Sequence, residues 1–74
     1  MATASPVSCI MRIGEVAGIT WQVLVEKGPL SMAKLVKAVG EPRDTVMQAL
    51  GWLAREGKIS IDDEGRNRMV SLQE

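Results

Sequence analysis

Histidine, tyrosine and phenylalanine are absent from this 74-residue chain, and cysteine occurs once, as Cys9. There is no imidazole, no phenol and no Gly-rich phosphate loop, and the one thiol lies near the amino end, so no enzyme is expected. A lone cysteine closes no internal disulfide, which fits a reducing cytoplasm, and no Cys/His spacing suggests zinc. No cofactor and no metal are expected; the adjacent Asp62, Asp63 and Glu64 lack a ligand spacing and read as a solvated hairpin tip. An excess of one charge is also missing, because nine basic residues face nine acidic ones. No overall field draws the protein to phosphates or anionic lipid, and any nucleic-acid site has to be local. Apolar runs are short as well. Arg12, Glu15 and Gln22 interrupt them far below the roughly 20 residues of a membrane span, so no membrane partner is expected.

What is present is a globular composition, 46% hydrophobic and 24% charged, in a chain with room for one modest core. Residues 1–10 are expected to be a flexible tail: Pro6 and Ser8 break the apolar stretch that a signal peptide needs. Helical periodicity begins near Met11, which suggests Met11 as the natural start and one domain over residues 11–74. From Arg12 to Lys27, the residues Ile13, Val16, Ala17, Thr20, Val23 and Leu24 recur at helical spacing, and Gly28-Pro29 ends the helix.

Ser31 is suited to cap a second helix, to Val39, in which Met32, Leu35, Val36 and Val39 form a stripe and Gly40 a left-handed stop. Glu41-Pro42 then opens a third helix, with Pro42 at its first position and Asp44 at the positive end of the dipole. Val46, Ala49, Leu50 and Leu53 share one side of it, and Gly57 terminates it. Ile59 and Ile61 alternate with polar residues, Asp62 to Asn67 reads as a charged turn, and Arg68, Val70 and Leu72 alternate again, which predicts a hairpin. A brief strand at Pro29-Leu30-Ser31 fits before the second helix. The fold class is α+β, mainly α: two short helices across a three-residue turn, then a wing. The expected core is Ile13, Val16, Ala17, Thr20, Leu24, Leu35, Val39, Val46, Leu50, Leu53, Ile59, Ile61, Val70 and Leu72. Trp21 is expected in the core, and Trp52 is expected to pack under the wing.

The run AVGEPRDTVMQALGWLAREGKI has the spacing of winged helix-turn-helix proteins from the end of the second helix into the wing. Together, AGITWQVL and ALGWLAREGKI resemble a family of small, free-standing bacterial winged-helix domains of unknown function, over roughly Ile13 to Leu72. The resemblance implies the fold and an expectation of DNA binding; it brings no ligand and no set of binding residues.

On that expectation the module is transcription-related, and the third helix enters the major groove of double-stranded DNA. Arg43, Thr45 and Gln48 are its candidate base readers. Lys34, Lys37, Arg55, Arg66 and Arg68 are candidates for the phosphates. Acids at Asp44, Asp62, Asp63 and Glu64 oppose this reading. The alternative is a protein-interaction or homodimerisation module with no significant DNA affinity. Met47, Gly51 and Trp52 suit a protein surface better than a phosphate backbone. Gly14 and Gly18 leave a groove on the first helix, beside Ile19 and Val25, where the helix of a second copy would nest.

Overall fold

Proline suits the first turn of a helix, where its missing N–H is not needed. In the computed structural model, which describes residues 6–64 and 67–73, α1 accordingly runs Pro6–Lys27. Residues 6–10, expected in a tail, are therefore helical. At the end of this stretch Ile10 and Met11 are 67% and 61% exposed, so the apolar periodicity of the buried face begins only after them. Further along, Val16, Ala17, Thr20 and Leu24 are buried, and the Thr20 hydroxyl donates to the Val16 carbonyl at 2.7 Å. Gly28, at φ 77°, stops the helix by donating its N–H to the Leu24 carbonyl.

The chain then forms β1 (Leu30–Ser31) and α2 (Met32–Val39). The Ser31 hydroxyl accepts from the Lys34 N–H, and Gly40, left-handed at φ 74°, donates to the Val36 carbonyl. Next, α3 spans Arg43–Arg55. Pro42 sits one position earlier than expected, as the N-cap, where its carbonyl accepts from the Val46 N–H at 3.0 Å. Gly57 turns the chain into β2 (Ile59–Glu64), which pairs antiparallel with β3 (Asn67–Leu72).

The sheet order is β1-β3-β2, with Leu30 opposite Val70 and Ile61 opposite Val70 on its other side. The expected Asp62–Asn67 turn is corrected, because pairing continues through Asp62↔Met69 and Asp63↔Arg68 to Glu64↔Asn67. Polar residues on a ribbon that extends past the core do not alternate with apolar ones, so the sequence pattern hid the outer half of the hairpin.

Buried apolar side chains from all three helices and the sheet form one core of Val16, Ala17, Leu24, Leu35, Val39, Val46, Ala49, Leu50, Leu53, Ile59 and Val70. Ala49 joins the expected set; Ile13 and Leu72 are only partly buried. Ile61 is not core, being 38% exposed. It shares a face with the buried Val70 of the central strand and Ile59 of its own, but lies on an edge strand two residues further toward the hairpin tip than Ile59.

Candidate nucleic-acid interface

The buried side of α3 is set by Val46, Ala49, Leu50 and Leu53. At 100° per residue, the arc diametrically opposite holds Asp44, Gln48, Gly51 and Arg55, and all four are exposed. Arg43 is exposed in the first turn, whereas Thr45, expected as a reader, is half-buried. Asp44 accepts from the Thr45 N–H at 2.9 Å, so its carboxylate is held at the amino end of α3. That is the favourable end of the helix dipole for an acid.

Lys34 and Lys37 are exposed on α2, one turn apart, and Arg68 is exposed on β3. Arg66 lies outside the described residues. Among the described residues, Lys34, Lys37, Arg43 and Arg55 form no ion pair. Against them stand Asp44 and the exposed Asp62 and Asp63 of β2.

Arg12, which in the sequence only interrupts an apolar run, makes a tertiary contact. Its guanidinium donates to Glu15 at 2.8 Å and also to Glu41, in the turn between α2 and α3. The hydrogen bond to Glu15, then that to Glu41 and the charge of Glu41, raise the Arg12 pKa above its ordinary value. Glu41 is thus engaged by α1, and its negative charge is compensated beside the turn. The two residues are 29 positions apart, and no local pattern could have paired them.

The second feature is a groove of about 380 Å³ between α1 and α3, lined by Gly14, Ala17, Gly18, Trp21, Trp52, Leu53, Glu56 and Lys58. Neither indole is where it was expected. Trp21 is 42% exposed and not core; Trp52 is 47% exposed and stands against α1 instead of under the wing. A methyl group added at Gly14 would sit 3.5 Å from Cζ3 of Trp52. Both indoles lie roughly a quarter-turn or more from the centre of their helix's buried face. Ile19 and Val25 are exposed as expected, at 38% and 46%, while Met47 is half-buried against the core and offers little surface.

Three helices are thus followed by a hairpin, and a short strand completes a three-stranded sheet. A family model described as a winged helix-turn-helix domain (DUF2582) matches residues 9–72. The chain belongs to this family. In winged helix-turn-helix terms α2, the Gly40-Glu41-Pro42 turn and α3 are the helix-turn-helix, and β2–β3 is the wing. A relative from Methanocaldococcus jannaschii, the uncharacterized protein MJ1608, is 33% identical over 64 residues, covering 84% of this chain and 91% of its own. That relative is archaeal, whereas the resemblance read from the residues was to bacterial domains.

Proposed function

We propose that this winged helix-turn-helix domain is a non-catalytic, transcription-related DNA-binding module whose recognition helix is α3. The observation that carries the reading is the outer arc of α3. Gln48 is exposed on the side opposite the core, with Arg43 at the amino end, and side chains of these types pair with adenine and guanine edges in the major groove. Lys34, Lys37, Arg55 and Arg68 are exposed as candidates for the phosphates. Arg12 supports the reading by compensating Glu41, which leaves Asp44 as the acid nearest the readers.

The test is a titration of the isotope-labelled chain with short duplex DNA at low salt, followed by amide NMR. Shifts are expected at Lys34, Lys37, Arg43, Gln48 and Arg55. An unperturbed spectrum at low salt removes the reading. Gln48→Ala should relax preference at one base position, at a cost of about 1–3 kcal/mol on the preferred sequence.

A second reading, a protein-interaction or homodimerisation module without significant DNA affinity, is favoured by the two half-exposed indoles on the α1–α3 groove. Large rings at the centre of an open apolar surface are the usual anchors of protein interfaces.

A further inference from the structure

Beyond its buried face, α1 carries a second apolar line: Met11, Gly14, Gly18, Trp21 and Val25. They are spaced three, four, three and four residues apart, the a/d interval of a coiled-coil seam. This line is separate from the core face of Val16, Ala17, Thr20 and Leu24, and its large members are exposed: Met11 61%, Trp21 42% and Val25 46%. Trp52 of α3 widens it at Gly14.

We propose that this seam is the contact face for a second copy of the chain, the two α1 helices running antiparallel about a two-fold axis near Gly18. The inference builds on the reading of the α1–α3 groove as an interface. It does not depend on DNA binding, because Gln48 and Arg55 do not line the groove. The seam is self-complementary in size. In an antiparallel pair the Trp21 indole of each copy stands beside Gly18 of the other, the open point of the line with nothing within 4 Å of a would-be Cβ, and next to the Trp52 ring that covers Gly14. A parallel pair would stack Trp21 on Trp21 and glycine on glycine.

Charge selects the same direction. The first turn of α1 holds no acidic residue, so the positive end of its dipole is uncompensated. Antiparallel pairing about Gly18 brings Glu26 and Lys27 of the second copy to that end together, where their charges offset, and sets Glu15 near Gln22, whose amide can donate to the carboxylate. Parallel pairing opposes Glu15 to Glu15 and Glu26 to Glu26.

Area sets the strength. A tryptophan side chain covers about 150–250 Å², so the exposed parts of the two indoles alone offer roughly 150–200 Å² per copy. With Met11, Val25 and Ile10, two such faces bury on the order of 1,000 Å², the lower limit for a specific pair. The dimer is therefore weak and reversible, with a Kd on the order of 10–100 µM.

Sedimentation velocity of the full chain from about 10 µM to 1 mM, a span that brackets this affinity, is expected to show monomer passing to dimer. Gly18→Glu is the informative variant, since nothing lies within 4 Å of a Cβ at that position. The folded monomer accepts the side chain, as circular dichroism and an unchanged or raised melting temperature should confirm, while pairing weakens by tenfold or more. Direction is read with a nitroxide on the exposed Cys9 of one copy mixed with an isotope-labelled, unmodified copy. Broadening is expected at Val25, Glu26 and Lys27. Broadening confined to Cys9–Arg12 overturns the antiparallel arrangement. A strictly monomeric chain at 1 mM, or a Gly18→Glu variant that pairs as wild type does, overturns the proposal.

Discussion

Thr20 shows how a polar side chain can belong to the core at little cost. It is fully buried, and its hydroxyl donates to a carbonyl one turn back at 2.7 Å. That carbonyl already accepts the backbone N–H of Thr20 in the regular helix pattern, so the side-chain bond satisfies the hydroxyl and not an orphaned acceptor. Thr20→Val removes the donor and keeps the shape; it is expected to change stability by less than about 1 kcal/mol. Thr20→Ser keeps the hydroxyl but deletes a buried methyl, for a loss of about 1 kcal/mol. Urea midpoints in the opposite order would show that the hydroxyl, not the methyl, holds this position. Leu53 is the contrasting case: 6% exposed and purely apolar. Leu53→Ala is expected to cost on the order of 2–5 kcal/mol, enough to unfold much of so small a domain, and a melting curve like that of wild type would show the site to be uncommitted. Arg12, held above its ordinary pKa, contributes stability that is present below its unfolded-state pKa and lost only as pH rises through the folded value. Both lie far above neutrality, so this tie between α1 and the turn does not respond to pH in the working range.

At the scale of elements, glycines separate into those that set the backbone and those that merely occupy it. Gly40 caps α2 at φ 74°, a conformation that strains any residue with a Cβ; Gly40→Ala is expected to destabilise by about 1 kcal/mol. Gly51 sits inside α3, exposed, with nothing within 4 Å of a would-be Cβ. Gly51→Ala is expected to stabilise by about 0.5–1 kcal/mol through helix propensity alone. Equal thermal shifts for the two would contradict the assignment of Gly40 as a cap. Stops and caps of this kind are local chemistry, which is why Gly28, Gly40, Ser31 and Gly57 mark element boundaries legibly in the sequence. The core faces of α2 and α3 were legible for the same reason. What could not be read was anything decided by distance from the core. At the start of α1 and in the outer half of the hairpin, Ile10, Met11, Asp62, Asp63 and Arg68 are exposed within regular structure, so no apolar period marks them. Trp21 and Trp52 look like core residues by type, yet their angular positions place them on a groove. The Arg12–Glu41 tie depends on tertiary proximity alone.

For the whole molecule, the question is how a chain of zero net charge would hold DNA. Three or four phosphate contacts give a slope of log K against log salt of about −3, or roughly a 50-fold loss between 50 and 200 mM. With so few contacts, a single opposed acid matters, and the register of the wing says which one. Successive strand residues face opposite sides, so Asp63 shares the face of Ile59 and Ile61, and it lies directly across from Arg68. That is the face turned toward the helices, since Ile59 and Val70 are buried on it. Asp62, opposite Met69, points the other way. If the wing lies along the backbone beside α3, Asp63→Asn removes a repulsive charge directly across the ribbon from Arg68, and it is expected to tighten binding about three- to tenfold at low salt, a gain that fades as the ionic strength rises. Asp62→Asn, with the same change in net charge, is expected to do much less. Fluorescence anisotropy with one duplex across a salt series separates the cases. Equal effects from the two variants would mean that only net charge matters and that the wing makes no directed contact; no effect from either, alongside a weakened Gln48→Ala, would place α3 on the DNA without the wing.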